Sequence, residues 1–218
     1  MLNFKFAQTQ DQKISILCLG AHCDDIEIGC GGTILQLLAQ HQNISCTWVT
    51  FCSTPERATE TREVSSAFLA NCEHTNVVIH SFRDGFLPWL GPEVKDVFET
   101  LKEVNSPDLV FTHAKDDMHQ DHRLVNELTW NTFRNHLILE YEIPKYDGDL
   151  GRPNIFVPLE ETYLAEKIKI ILDGYRSQRS KHWFTEELFR SLPRIRGMES
   201  NSPTCYAEAF YCRKLLVR

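Results

Sequence analysis

The sequence predicts an α/β protein with a Rossmann-like three-layer α/β/α architecture and a mainly parallel sheet. Apolar runs of strand length, rich in Val, Ile, Phe and Leu, recur through the first two thirds of the chain. Such continuous runs are typical of strands that are buried on both faces. Windows with helical periodicity alternate with these runs. This alternation indicates right-handed βαβ crossovers with helices on both faces of the sheet.

The first two thirds of the chain supply the parallel core. Strands are expected at 14–20, 45–52, 76–82 and 108–113. The helical windows that accompany them are 30–42, about 57–72, 92–105 and about 121–136. We expect the first helix to open at a glycine cluster made of Gly29, Gly31 and Gly32. Pro92 suits the first turn of the third helix, and the Ser106-Pro107 pair closes it.

After about residue 137 the pattern changes. We expect, in order, a strand at 137–143, a loop at 145–153, a short strand at 154–159, a helix at 162–180, a shorter helix near 185–196 and a closing strand at 206–217. No repeat or linker interrupts the chain. The simplest account is a single domain over residues 1–218, with a core at about 12–143 and a C-terminal elaboration at about 144–218.

Composition narrows the class of protein. The chain has 218 residues, a net charge of −7 and a hydrophobic content of 42%, which fits an ordinary globular protein. The negative charge disfavours a nucleic-acid partner, which needs a basic face. The first six residues lack the apolar core of a secretory signal, and no run is long enough to span a membrane. Eight cysteines without Cys-x-x-Cys spacing argue against a disulfide framework, so we expect a cytoplasmic protein.

A first polar cluster, Gly20 to Asp25, directly follows the first strand. His22 and Asp25 have the spacing on a turn that lets one metal ion bind both an imidazole and a carboxylate, as zinc does. Asp24 lies between them and is suited to take a proton from a water at the metal. Alternatively, the two aspartates are the acidic cap of the next helix. The following glycines lack the third glycine of a dinucleotide fingerprint and lie too far past the strand.

A second cluster, His119 to Arg123, follows the fourth core strand. Either His119 or His122 can complete a site of two imidazoles and one carboxylate, and the other is then free to donate a hydrogen bond to a developing oxyanion. Asp121 can orient an imidazole. His113 is a less suitable ligand because it abuts the strand itself. In the alternative interpretation, the aspartates of this region cap a helix and the histidines lie on the surface.

Two further groups of residues could contact a substrate. Late basic residues form either a solvated helix face or an anion-binding patch for a phosphate, as in a nucleotide sugar: Arg176, Arg179, Lys181, Arg190, Arg194 and Arg196. Aromatic residues could stack on a sugar ring or simply pack in the core: Phe86, Trp89, Tyr146, Trp183 and Phe184.

At the two clusters the chain resembles the PIG-L/LmbE-like family of zinc-dependent N-deacetylases. The family motif Ala-His-Pro-Asp-Asp stands here as Ala21-His22-Cys23-Asp24-Asp25, and His-x-Asp-His stands as His119-Gln120-Asp121-His122. Weaker similarities, such as Arg62-Glu63, extend over most of the chain. Cys23 departs from the family proline, which places a thiol near the metal, and we expect it to point away.

The resemblance implies a role for each matched residue. His22, Asp25 and His122 bind Zn2+, although Fe2+, Co2+ or Mn2+ also suits this donor set. Asp24 is the general base, His119 stabilises the oxyanion and Asp121 holds a histidine. Arg62 contacts substrate.

The expected activity is hydrolysis of an N-acyl group, most simply N-acetyl, from an amino sugar or sugar conjugate, which includes nucleotide sugars. A homo-oligomer is compatible with the resemblance. The alternative is a non-catalytic sugar- or nucleotide-binding protein on a Rossmann-like fold.

Overall fold

The structure is a computed structural model that describes Phe6 and residues 12–216. Most of the residues on which the expectation about a signal segment rests lie outside this range. Val217, the last residue of the predicted closing strand, also lies outside it. Within the described part, α/β alternation is confirmed. The parallel core contains β1 (Ile14–His22), α1 (Asp25–Gln40), β2 (Ile44–Cys52), α2 (Pro55–Phe68), β3 (His74–Phe82), α3 (Gly91–Val104), β4 (Leu109–His113), α4 (Gln120–Thr132) and β5 (Leu137–Tyr141).

The C-terminal part adds two strands and two helices, which are β6 (Ile155–Pro158), α5 (Glu161–Gly174), α6 (Glu186–Glu199) and β7 (Ala207–Tyr211). Strand order in the described sheet is β3-β2-β1-β4-β5-β7-β6. The first five strands in this order are parallel, whereas β7 pairs antiparallel with both β5 and β6. The fold is therefore a mixed, mostly parallel sheet.

Two apolar layers cover the sheet, because alternate side chains of a strand point to opposite faces. On β1, Ile16 and Cys18 pack into one layer with residues of α1, α2, α5 and α6. Leu17 and Leu19 pack into the other layer with residues of α3 and α4. This arrangement confirms the three-layer α/β/α prediction. No helix between residues 12 and 216 has the length and apolar content that a bilayer crossing requires.

The first helix begins earlier than the sequence indicated. Helix α1 starts at Asp25, immediately after the turn that ends β1, and the glycine cluster lies inside the helix. These glycines serve packing instead of starting the helix. A Cβ on Gly29 would stand 2.2 Å from the ring of Tyr141, and one on Gly32 would stand 2.7 Å from Leu159. The helix can approach the sheet this closely only without side chains at these positions.

Two C-terminal elements are shorter than expected. Helix α5 ends at Gly174 instead of near 180, and a short 3-10 turn, Arg176–Gln178, follows it. Tyr175 leaves the helical conformation and is fully buried. Strand β7 ends at Tyr211, because the backbone N–H of Cys212 donates to the side chain of Asn154 instead of to a neighbouring strand.

Candidate active site

The two polar clusters meet at one edge of the sheet. Strands β1 and β4 are parallel neighbours, so their carboxyl ends lie side by side. The chain leaves β1 at His22 and enters α1, and it leaves β4 at His113 and enters α4 through a short loop. Since β2 lies on one side of β1 and β4 on the other, the strand order reverses at this point. Open α/β sheets bind ligands in the crevice at such a switch point.

Three donor atoms converge in this crevice. Nδ1 of His22 lies 3.1 Å from Nε2 of His122 and 3.4 Å from Oδ2 of Asp25. Nε2 of His122 lies 3.6 Å from the same carboxylate oxygen. Ligands bound to zinc in a tetrahedron at about 2.0–2.1 Å are about 3.3 Å from one another. The three atoms therefore have the mutual spacing that one small divalent cation requires.

Each histidine of this trio is held by a carboxylate at its other ring nitrogen. Oδ2 of Asp121 lies 3.1 Å from Nε2 of His22, and Oδ2 of Asp117 lies 2.9 Å from Nδ1 of His122. Asp121 is fixed in turn by the backbone N–H groups of Gly85 and Leu87. A carboxylate partner keeps the proton on the outer nitrogen and leaves the inner lone pair free for a metal. The donor set and its supports therefore fit a divalent cation.

The charges of the crevice favour a positive ion at its centre. Burial lowers the pKa of His22, but the carboxylates of Asp121, Asp25 and Asp84 outweigh burial and raise that pKa well above its usual value. Burial would raise the pKa of Asp25, yet the neighbouring histidines hold it well below its usual range. Burial and the adjacent His113 lower the pKa of His122 to about 4. His122 is thus neutral at pH 7, as a metal ligand must be.

His113 supports this arrangement from the side. Its Nε2 accepts the backbone N–H of Ala21 at 2.9 Å, so the lone pair at that nitrogen is engaged. Its ring stacks on that of His122 with centroids 3.8 Å apart. Although Nε2 also lies 3.3 Å from Oδ2 of Asp25, the engaged lone pair makes His113 a packing partner of the trio. The sequence also makes His113 the less suitable ligand, because it directly adjoins the strand.

Asp24 lies beside the trio in a distorted turn. It adopts φ 111°, in the left-handed region that residues other than glycine rarely occupy, and takes the N-cap position of α1 without a capping hydrogen bond from its side chain. Its Oδ2 pairs with Arg57 at 3.1 Å. Burial raises the pKa of Asp24 to about 6, and the charge of Arg57 opposes this rise. A buried carboxylate with a pKa near 6 is suited to accept a proton at neutral pH.

Arg57 is the arginine of this site, and the sequence indicated Arg62 instead. Arg62 lies on the exposed side of α2, where its guanidinium donates to the carbonyl oxygen of Ala58 at 3.4 Å. Arg57, in the first turn of the same helix, donates to the carbonyl oxygen of Cys23 and packs 4.8 Å above the ring of Tyr175. Its position just after the carboxyl end of β2 was the signal available in the sequence.

His119 completes the group. Its ring centroid lies 4.7 Å from that of His22 and 4.6 Å from that of His122. Its Nδ1 accepts the backbone N–H of Asp121 at 3.3 Å, which leaves the proton on Nε2. Burial and the charge of His22 lower the pKa of His119, so the ring is neutral at pH 7. A neutral imidazole with a free N–H can donate a hydrogen bond to an oxyanion.

These residues form the floor of a cleft of about 960 Å³. One group of lining residues comes from the chain after β5 and includes Ile143, Tyr146, Leu150, Trp183 and Leu188. This volume lies at the upper end of the roughly 300–1,000 Å³ typical of small-molecule sites. The cleft therefore has room for a small-molecule ligand.

Cys23 is among the residues around the cleft, but its thiol is engaged with the backbone. Its thiol is buried and donates to the carbonyl oxygen of Cys52, on β2. Burial raises its pKa, which keeps the thiol protonated. The three clusters of metal-binding side chains found among the described residues do not include it.

Of the aromatic and late basic residues that could contact a substrate, some line the cleft and others do not. Tyr146 and Trp183 line the cleft, whereas Phe184 is a core residue. Three of the six late basic residues form ion pairs elsewhere: Arg176 pairs with Glu63, Arg190 with Glu161 and Glu186, and Arg196 with Glu142 and Glu199. Only Lys181 of this group lines the cleft. The paired arginines do not form an anion-binding patch.

Comparison with known proteins agrees with this geometry. A family model described as PIG-L: GlcNAc-PI de-N-acetylase matches residues 17–133, which is more than half of the chain and includes both polar clusters.

Solved structures share the fold over nearly the whole chain. The conserved protein TT1542 from Thermus thermophilus is 21% identical with a TM-score of 0.74, and the match covers 94% of this chain and 97% of that chain. GalB, the 4-carboxy-2-hydroxymuconate hydratase from Pseudomonas putida, is 16% identical with a TM-score of 0.74, and the match covers 95% and 98%. The N,N'-diacetylchitobiose deacetylase from Pyrococcus horikoshii is 22% identical with a TM-score of 0.65, and the match covers 91% and 83%. These likenesses establish the fold.

Proposed function

The chain belongs to the PIG-L family, whose model is described as GlcNAc-PI de-N-acetylase, and from this premise we propose that it is a metal-dependent N-deacetylase of an amino sugar or sugar conjugate. The observation that carries the proposal is the trio His22, Asp25 and His122, whose donor atoms lie 3.1–3.6 Å apart. Asp121 and Asp117 support the two histidines.

The trio is the proposed metal site, and Zn2+ is the proposed ion. A zinc ion bound by three protein ligands acidifies water and polarises a carbonyl oxygen. Two imidazoles and one carboxylate also suit Fe2+, Co2+ or Mn2+. His113 and Cys23 stay outside the ligand set because their polar atoms are engaged with the backbone.

Asp24 is the proposed general base. It accepts a proton from the attacking water as the water oxygen forms a bond with the amide carbon. Its pKa of about 6 leaves it ionised at neutral pH, and it lines the cleft beside the trio. The same carboxylic acid can then return the proton to the nitrogen, so that the C–N bond breaks and acetate and a free amine leave.

His119 is the proposed donor to the tetrahedral oxyanion. Its neutral ring keeps a proton on Nε2, and it lines the cleft next to His22. A fixed hydrogen bond of this kind favours the charge that develops in the transition state over the neutral amide. Asp121 acts through His22 and through its own backbone N–H, which fixes His119.

The proposed substrate is a small molecule that contains an N-acetylated amino sugar. Tyr146 and Trp183 offer aromatic faces in the cleft, and the volume exceeds what one sugar ring needs. Nucleotide sugars and glycoconjugates are therefore included with monosaccharides in the test below.

A screen for acetate release tests the proposal. Purified protein is loaded with zinc and incubated with N-acetylated monosaccharides, disaccharides, a nucleotide sugar and a glycolipid, with Asp24→Asn as the matched inactive control. We expect acetate from at least one substrate, its loss on chelation and its return with added zinc. Substrate binding without acetate release would support a sugar-binding protein and contradict the proposed activity.

A further inference from the structure

Lys145 lies behind one of the histidines of the proposed metal site. It belongs to the loop between β5 and β6, and its side chain is 13% exposed. Its Nζ lies 2.9 Å from Oδ2 of Asp117, and the same oxygen lies 2.9 Å from Nδ1 of His122. One carboxylate oxygen therefore accepts one hydrogen bond from the lysine and another from a proposed metal ligand.

A second carboxylate holds the ammonium group from the other side. Lys145 also pairs with Oδ2 of Asp149, whose side chain is 6% exposed. That oxygen accepts the backbone N–H of Met118 at 2.6 Å, in the loop that leads into α4. Lys145 is thus the cation of a largely buried group that contains two carboxylates.

The donors of Lys145 are used within the protein. An ammonium group has three N–H donors. Two are directed to Asp117 and Asp149, and the carbonyl oxygen of Ile143 accepts the third at 3.3 Å. Lys145 lines the cleft, but all three of its donors are already engaged. Its position therefore points to a role in the charge of the metal site instead of a contact with substrate.

Asp117 divides its charge between an imidazole and an ammonium group. Burial would raise the pKa of Asp117, but its contacts with His122, His113 and Lys145 hold that pKa well below its usual range, so the carboxylate is ionised at pH 7. A carboxylate at the outer nitrogen of a histidine makes the inner nitrogen a more basic ligand. The ammonium group competes for the same oxygen and so weakens this effect.

We propose that Lys145 is a positioning residue whose charge, acting through Asp117, limits how tightly the trio holds a divalent cation and keeps that cation electron-poor. The effect on catalysis rests on the proposed deacetylase function, whereas the effect on affinity rests on the proposed metal site alone. Asp149 opposes this effect, because its carboxylate offsets the charge of the lysine.

The charges of Lys145 and Asp149 have opposite effects on a cation in the trio. Without the ammonium group, both carboxylates remain and attract the cation more strongly. Without the charge of Asp149, the ammonium group is less balanced and repels the cation more strongly. Contacts that served only to hold the two loops together would behave differently, since the loss of either partner would loosen the site.

Zinc affinity, measured at pH 7 by competition with a chelator, tests this difference in sign. We expect Lys145→Met to bind zinc about fivefold or more tightly than the wild type, and Asp149→Asn about fivefold or more weakly. The double variant and Lys145→Arg stay within about twofold of the wild type, because the net charge of the group is unchanged. The control Lys115→Met also stays within about twofold, because Lys115 is exposed and its charge is screened.

Two results overturn the inference. Weaker zinc binding in both Lys145→Met and Asp149→Asn would show that the contacts only hold the loops together. Equal affinities in both variants and the wild type would show that these charges do not reach the site. If Lys145→Met does not fold, Lys145→Gln takes its place with the same expected tightening, because it keeps an N–H donor for Asp117 and lacks the charge.

Activity separates this inference from the proposed function. With both proteins saturated with zinc, kcat of Lys145→Met should fall about tenfold below that of the wild type although zinc is held more tightly. An unchanged kcat would overturn the effect on catalysis. If no substrate releases acetate, the deacetylase proposal fails, and the zinc affinities still decide the role of Lys145. A wild type that binds no zinc overturns the metal site and the role of Lys145 with it.

Discussion

Asp24 and Arg57 form an ion pair, with 3.1 Å between Oδ2 and the guanidinium nitrogen, at the floor of the cleft. Asp24 directly precedes α1 and Arg57 belongs to the first turn of α2, so the pair connects the starts of the helices that follow two neighbouring strands. Burial raises the pKa of Asp24, and Arg57 opposes that rise. Burial therefore places the pKa of the proposed base near 6, and an arginine from another helix keeps that pKa from rising further.

Removing the charge of Arg57 should shift the pH dependence of the reaction. In Arg57→Gln the pKa of Asp24 rises further, so the base is ionised only at higher pH. The acid limb of kcat/KM moves upward by about one pH unit or more, and Arg57→Lys, which keeps the charge, moves it less. The shape of the profile does not depend on how much protein is folded. Identical acid limbs in wild type and Arg57→Gln would contradict this role.

Asp24→Asn should separate catalysis from metal binding. The amide cannot accept a proton from water, so we expect kcat to fall by about 10²–10⁴-fold. Zinc content after gel filtration stays at the wild-type level because Asp24 is not one of the three ligands. A variant with near-wild-type kcat would show that Asp24 is not the base.

Asp117→Asn should weaken zinc binding by the trio, although it replaces none of the three proposed ligands. Asp117 accepts from Nδ1 of His122 at 2.9 Å and so presents Nε2 to the ion. We expect zinc affinity to fall by about 10–100-fold in competition with a chelator. The control is Asp116→Asn, because Asp116 is exposed and adjacent in sequence. Equal affinities in both variants would remove Asp117 from the support of the site.

Glu27 should make stability depend on pH. It is 1% exposed and accepts from the hydroxyl of Tyr175, and burial raises its pKa to about 8. The folded chain therefore keeps a proton that the unfolded chain loses above its usual pKa of 4.5. The stabilisation is complete below pH 4.5 and is lost as pH rises to about 8.

Glu27→Gln removes this titration. Between pH 5 and pH 8 the wild type should lose roughly 2 to 4 kcal/mol more unfolding free energy than the variant does. Urea unfolding of metal-free protein at both pH values measures the difference. The exposed Glu56→Gln serves as the control. If the free energy of unfolding depended on pH in the same way in Glu27→Gln and in the wild type, Glu27 would not be the titrating group.

Much of the fold followed from the sequence because buried parallel strands carry a strong local signal. The side chains of β1 are apolar on both faces of the strand, because a layer of helices packs on each face of the sheet. The start of α1 did not follow, because glycines usually end or open a helix. Here Gly29 and Gly32 lie inside α1, where they allow close contact with Tyr141 and Leu159. Such contacts are visible only in three dimensions.

The site was predictable where its residues follow the carboxyl ends of the parallel strands. His22, Asp25 and His122 come together in one crevice, whereas Arg57 and not Arg62 lines the cleft, so substrate contact by Arg62 stays a prediction. The two arginines lie about 140° apart around a helix axis, so only one can face the crevice. The sequence pattern did not show which face of α2 turns inward. For Asp117 the sequence offered only the alternative of a helix cap, because nothing local shows that it meets His122.

The central claim is that His22, Asp25 and His122 hold one divalent cation. Anomalous diffraction from crystals grown with stoichiometric zinc tests it most directly. The account predicts a single strong peak about 2.0–2.2 Å from Nδ1 of His22, a carboxylate oxygen of Asp25 and Nε2 of His122. A peak bound instead to His113 or Cys23, or no peak in this crevice, would contradict it.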